Sequence, residues 1–296
     1  MNVHTIDLQF QSVPQTIAAY LVVGPEGPVL VETGPMSTLP VLRQALAQLG
    51  YEPADIHHVL VTHIHLDHAG AAGWWAQQGA QVYVHYFGAK HLIDPSRLWS
   101  SALRIYGDRM VPLWGSMEPA PAEKVTAVSD NDTIHAAGLT FTALETPGHA
   151  RHHHVWQLAD IAFTGDAAGI RLPDTTFIDM PAPPPEFDRE TWLETLDRIA
   201  AHNFRAIYPT HFGRLDDPPQ QLDGLRSLMD EATQFVRRQL AADVPRDDMV
   251  SNYREWITAR ARAAGLSDTA VHQYETANPW YMSVDGMRRY WQNRAA

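Results

Sequence analysis

Short apolar runs broken by turn residues dominate the first half of the chain. Residues 17–23 (IAAYLVV), 29–31 and 59–62 are rich in β-branched side chains and bounded by Gly, Pro or charged residues, which predicts buried strands. Residues 39–49 (LPVLRQALAQL) carry apolar positions at helical spacing and stop at Gly50, a residue suited to closing a helix. Strand, helix, strand and then a histidine-rich loop is an α/β pattern that offers strand-end side chains to one edge of a sheet. Further strands are predicted at 82–84, 139–144, 156–158, 161–164 and 206–209, with an amphipathic helix at 189–201. The segment 87–115, with Trp99, Tyr106 and Trp114, has no clear period and reads as a partly helical insertion. The proline run 181–185 (PAPPP) reads as a rigid linker. Beyond Leu215 the pattern turns helical, at 221–242, 250–264 and 268–276, and the aromatic end around Trp280 and Trp291 is expected to pack against the body. The expected organisation is an α/β domain over 1–215, interrupted by 87–115, and a helical extension over 216–296 packed on it.

Composition narrows the chemistry. With 296 residues, 45% of them hydrophobic, the chain can bury a large core. A net charge of -12 disfavours nonspecific binding to nucleic acid or to an anionic membrane, so the expected partner is a small molecule. The N-terminal MNVHTIDLQFQSV lacks the basic and apolar regions of a secretory signal, and no stretch approaches the roughly 18–20 apolar residues of a membrane span. A soluble cytoplasmic protein is therefore expected. Oligomeric state is not legible. The absence of cysteine excludes disulfides, thiolate zinc sites, Fe–S clusters and a Cys nucleophile, so any transition metal must be held by His and carboxylate.

The chain offers such ligands in one dense run. A buried strand, Val59-Leu60-Val61-Thr62, delivers His63, His65, Asp67 and His68 within six residues. His63 and His65 alternate by two and so point the same way on an extended segment. Asp67 and His68 follow where the chain turns and can address a second metal. Three later strand ends carry His149 (TPGH), Asp166 (TGDA) and His211 (PTHFG). Single histidines are more often surface or packing residues, but three strand-end ligands far apart in sequence are what a metal site at a sheet edge requires.

HxHxDH followed by TPGH, TGDA and PTHFG, in that order, resembles the metallo-β-lactamase-fold hydrolase superfamily over about residues 15–215. The resemblance implies an αββα sandwich, here with a helical C-terminal extension. It also implies two divalent metal ions, zinc by preference though iron or manganese are accepted by such ligands. His63, His65 and His149 would hold the first, and Asp67, His68 and His211 the second, with Asp166 bridging. A metal-bound hydroxide would be the nucleophile, oriented by Asp67, which is the expected catalytic residue. Glu32 stands where most members carry Asp; it and His153, matching the second His of a PGHxxxH pattern, are expected to support the ligands from behind. His152 and His154 are open between substrate contact and packing, whereas Trp74 and Trp75 read as core. The ligands alone do not choose a reaction. Some 85 residues follow His211, unlike the shorter tails of β-lactamases, and the chain advertises no basic groove for a phosphodiester. A carboxylic ester, lactone or thioester is the expected substrate. A mononuclear iron dioxygenase resembling persulfide dioxygenase, or a phosphodiesterase or β-lactamase of the same fold, are the alternatives.

Overall fold

A computed structural model describes residues 2–295. Two sheets face each other. The first runs β1 (Asn2–Asp7), β2 (Ala18–Gly24), β3 (Gly27–Val31), β4 (His58–Leu60), β5 (Gln81–His85) and β6 (Val125–Val128) in chain order. Its pairings are antiparallel as far as β3 and parallel beyond. The second has the order β11 (Ala206–Pro209), β10 (Ile161–Gly165), β9 (His154–Leu158), β8 (Leu139–Glu145), β7 (Thr133–Ala136). Only its β10–β11 pairing is parallel.

The pleat explains the continuous apolar runs. In β2, Ala18, Tyr20 and Val22 enter the core between the sheets, while Ala19 and Leu21 face a second core beneath the outer helices. Those helices include α1 (Leu39–Gln48), α2 (Leu66–Ala69) and α3 (Ala72–Gln77), so both faces of the strand are buried and neither needs polar residues. Trp75 lies fully buried in that outer core, and Trp74 is half-buried with the Arg43 guanidinium over its ring. The expected αββα sandwich is the fold that forms.

Several elements were not legible. β1 and β7 carry too many polar residues to read as strands and β6 is only four residues long; all three are edge strands with partly exposed faces. The insertion is more helical than its sequence suggests: α4 (Tyr86–Ile93), α5 (Ser96–Tyr106) and α6 (Met110–Trp114) follow in quick succession. The proline run is not a free linker. Pro181 and Ala182 are buried, and the Met180 carbonyl and Ala182 amide beside them are held by Asn278 and Ser283 from the C-terminal region. After α7 (Arg189–Ala201), four helices complete the chain: α8 (Pro218–Ala241), α9 (Arg246–Ala263), α10 (Asp268–Ala277) and α11 (Trp280–Ala295). Their apolar faces, including Leu225, Met249, Tyr253, Trp280 and Met287, join one continuous core with the second sheet. No described helix is long and apolar enough to cross a membrane.

Candidate metal centre

All seven expected ligands converge at the ends of the strands on one edge of the sandwich. They form two groups, His63, His65, His149 and Asp166 in one and Asp67, His68 and His211 in the other, each with ligand atoms within 4.8 Å of one another. His63 and His65 lie on the connection from β4 to α2. His65 ends in extended conformation, and the short α2 then turns Asp67 and His68 to the other side. His149 sits on a tight turn that demands glycine before it. Gly148 has φ +124°, and a Cβ there would fall 2.4 Å from the Trp192 backbone.

Asp166 joins the groups. Its Oδ2 lies 3.2 Å from His149 Nε2 and 4.0 Å from His63 Nε2, while its Oδ1 lies 3.4 Å from both His68 Nε2 and His211 Nε2. One carboxylate oxygen thus faces each group. Asp67 Oδ2 adds to the second, 3.4 Å from His211 Nε2 and 3.7 Å from His68 Nε2.

The hydrogen bonds behind the rings decide which nitrogens are free. His149 Nδ1 donates to the Pro181 carbonyl at 2.7 Å and His211 Nδ1 to the Thr16 carbonyl at 2.6 Å, since a carbonyl can only accept. His68 Nδ1 faces the Glu32 carboxylate at 3.2 Å. The Nε2 of His149 is therefore a bare lone pair turned inward, and the Nε2 atoms of His68 and His211 face inward toward the Asp166 and Asp67 carboxylates. His65 Nδ1 sits 3.0 Å from the bare His149 Nε2 and 2.9 Å from His63 Nε2, and one proton on it cannot serve both. Among the described residues, His68 Nε2 and Asp166 Oδ1 are buried without a well-formed hydrogen bond. Bare imidazoles and an orphaned carboxylate oxygen crowded at such distances are what a shared cation satisfies, so the donor set fits divalent metal.

Charge divides the two groups. Burial and the neighbouring imidazoles hold His63 and His149 below the ordinary histidine range, and bring His65 down to about 4, so these rings are neutral. Burial would also lower His68 and His211, but the Asp166 and Asp67 carboxylates outweigh it and raise both. Burial in turn works against the charged form of Asp67, yet His68 and His211 pull its carboxyl down to about 2.

Glu32 braces the centre. It is buried at the end of β3 in the left-handed region, φ 64°, where a non-glycine residue is strained. Its carboxylate accepts from Thr62 Oγ1 at 2.5 Å, Thr210 Oγ1 at 3.2 Å and His68 Nδ1, tying together the loops that carry His63, His68 and His211. Replacing Glu32 with Gln keeps the size but turns an amide donor toward donors. Metal affinity at the His68 side should fall roughly 10- to 100-fold, measured by competition with a chromophoric chelator; unchanged affinity would remove Glu32 from the support.

The remaining histidines separate clearly. His153 Nε2 accepts the Asp166 amide proton at 3.2 Å, so its Nδ1 carries the hydrogen and donates to Thr146 Oγ1 at 2.8 Å. It holds the Asp166 backbone rather than facing the centre. His154 is a packing residue: buried, its Nε2 donates to the Val61 carbonyl, which Trp156 Nε1 also reaches, anchoring the strand that precedes His63. His152 lines the cavity, its Nε2 3.4 Å from Glu186 Oε2. His85 caps α4 through its Nδ1 and contacts Glu145. The supports supplied by the Thr16 and Pro181 carbonyls had no sequence signal, because a backbone acceptor has no residue type.

A cavity of about 550 Å³ opens over the centre, with His65, Asp67, His149, Asp166 and His211 on its floor. Helices α4–α6 form much of its wall through Phe87, Leu98, Ala102, Tyr106 and Trp114, facing the 181–186 segment.

Comparison with known proteins agrees with this geometry. The chain is 28% identical over 201 residues to the metallo-beta-lactamase fold-containing protein ST1585 of Sulfurisphaera tokodaii, an alignment covering 67% of this chain and 73% of that one. The atrochrysone carboxyl ACP thioesterase of Aspergillus fumigatus is 24% identical over 227 residues, covering 75% of this chain but only 41% of the relative, so less than half of that enzyme is represented. Among solved structures, the metallo-beta-lactamase family protein TTHA1429 of Thermus thermophilus superposes with a TM-score of 0.71 at 21% identity, over 99% of this chain and 94% of that one, C-terminal helices included. The sequence profile that describes the metallo-beta-lactamase superfamily matches residues 13–211, which run from just after β1 to the last of the converging histidines. On that match, and on the strand-end ligands it spans, this chain belongs to the metallo-beta-lactamase superfamily.

Proposed function

We propose that the protein is a dinuclear metallo-hydrolase, with zinc as the preferred metal, that cleaves a carboxylic ester, lactone or thioester of a small molecule. The observation that carries this reading is Asp166, whose two oxygens each face a different complete ligand group. His63, His65 and His149 would hold one ion, and Asp67, His68 and His211 the other. The chemistry a divalent pair supplies is acidification of a water and polarisation of the scissile carbonyl.

The chain's own residues do the rest. Asp67 is the ligand-group carboxylate with the most open side chain, 20% exposed toward the cavity against 3% for Asp166. It is thus placed to accept a hydrogen bond from the attacking water, orient it and carry its proton toward the leaving group. His149 and His211, each anchored by a carbonyl, hold the floor rigid. Leu98, Ala102 and Trp114 exclude bulk water from an acyl group lying over it. A thioester or ester substrate is also in keeping with the thioesterase among the relatives.

Metal analysis of purified protein, together with hydrolysis assays on a panel of ester, lactone, thioester, β-lactam and phosphodiester compounds, tests the proposal. Two metals per chain and turnover of an acyl compound, abolished by chelation and restored by zinc, are expected. One iron per chain with oxygen consumption, or turnover confined to phosphodiesters or β-lactams, would overturn it.

A further inference from the structure

The cavity wall carries charge that the proposed hydrolysis does not use. Lys90, Arg97 and Arg109, from α4, α5 and the turn before α6, all line the cavity. Among the described residues none of the three side chains makes an ion pair or a hydrogen bond to a protein group. Arg104, Arg238 and Arg289 also lack an ion pair among the described residues, but none of them lines the cavity, and many other arginines are paired. Arg189, Arg198, Arg205, Arg246 and Arg260 each sit against a carboxylate. Arg151, also on the cavity, is neutralised by Glu186 at 2.8 Å. The acidic residues of the insertion, Asp94 and Asp108, do not line the cavity, and Glu186 is committed to Arg151 and His152.

A chain with a net charge of -12 repels anions at long range. Three cations without an ion-pair partner around one largely apolar cleft favour an anion there, on the wall away from Asp67 and Asp166 on the floor, and low-dielectric walls strengthen the attraction. Guanidinium groups match carboxylate and phosphate geometry with paired donors, whereas the apolar wall between them suits a hydrocarbon body.

We propose that Lys90, Arg97 and Arg109 select an acyl substrate that combines an apolar body with an anionic group, a carboxylate or a phosphate, remote from the scissile carbonyl. This inference rests on the hydrolase reading above and adds the substrate class to it.

The test uses matched pairs of esters and thioesters on the metal-replete protein, identical except that one member carries a terminal carboxylate or phosphate and the other a neutral isostere. Wild type should favour the anionic member in kcat/KM by about tenfold, a difference of about 1.4 kcal/mol, and the preference should shrink as salt is added. The larger of the carboxylate and phosphate ratios identifies the anion. The triple variant Lys90→Gln, Arg97→Gln, Arg109→Gln should bring the ratio toward one. Arg104→Gln, which removes an exposed cation of the same helix that does not line the cavity, should keep it. Equal or better turnover of the neutral members by wild type, or a triple variant that retains the ratio, overturns the inference and leaves the hydrolase reading standing. If neither neutral nor anionic members are hydrolysed, the hydrolase reading itself fails and takes this inference with it.

Discussion

Asp67→Asn lowers kcat by roughly 10³-fold or more, while the protein retains its fold and most of its metal. The side chain sits between two roles. Its Oδ2 lies near His211 and His68, so it contributes to the second ligand group, and its 20% exposure opens it to the cavity where water and substrate meet. An amide of the same shape can still offer an oxygen lone pair to a cation, but it is far too weak a base to take a proton. The contrast between variants is therefore informative. Asp67→Ala should lose metal as well as turnover, and Asp67→Asn should lose mainly turnover. The measurements are kcat on whichever acyl substrate the panel identifies and metal content on the same samples. Near-wild-type kcat in a metal-replete Asp67→Asn protein would show that the proton is handled elsewhere.

The second large effect lies away from the cavity floor. Asp179 is fully buried, and its Oδ2 accepts from Asn278 Nδ2 at 3.0 Å and Trp280 Nε1 at 2.9 Å, while the Met180 amide donates to its Oδ1 at 2.8 Å. Burial pushes this carboxyl above its usual range despite those three donors. Ser283 Oγ donates to the Met180 carbonyl and receives the Ala182 amide proton. The start of α11 and Asn278, two residues before it, thus grip residues 179–182, and the carbonyl in the middle of that segment, Pro181, orients His149. Asp179→Ala leaves two or three buried donors without partners. At about 1–3 kcal/mol for each unsatisfied group, and with partial relaxation, a loss of about 3 kcal/mol is expected. That corresponds to a fall in Tm of roughly 5–10 °C for a chain of this size. Because the Pro181 carbonyl is displaced with it, metal affinity should drop about tenfold or more as well. Thermal melts with and without metal, beside a chelator competition, measure both. A stable protein with unchanged metal affinity would show that the C-terminal helices merely cover the core.

These two residues mark the boundary between what reading the chain can and cannot reach. Asp67 lies in a dense local motif, where strand patterning and residue type are contiguous, so its neighbourhood is visible without a fold. Asp179 has no such context. Its partners Asn278, Trp280 and Ser283 are about one hundred residues away, and no local pattern links them. The same holds for Lys90, Arg97 and Arg109. The sequence marks the segment 87–115 as aromatic and adjacent to the site, yet only packing shows which of its cations turn into the cavity and which remain on the outer surface. The proline run 181–185 misled for a related reason. Prolines signal stiffness wherever they stand, but whether a stiff segment links two bodies or walls a site depends on what packs against it.

Taken alone, the sequence determined the ligand chemistry and the frame that carries it. With cysteine absent, metal binding had to rest on His and carboxylate, and apolar runs ending in His63, His149, Asp166 and His211 placed those groups at strand ends. Residue type and period are local properties, so they survive in a one-dimensional reading. The tertiary structure decided how the groups meet: that Asp166 turns one oxygen to each ligand group, that His153 holds a backbone amide while His154 holds a carbonyl, and that Glu32 in a strained backbone position ties three loops together. Each of these depends on distances of about 3 Å between residues far apart in the chain, which only the packing of the two sheets sets.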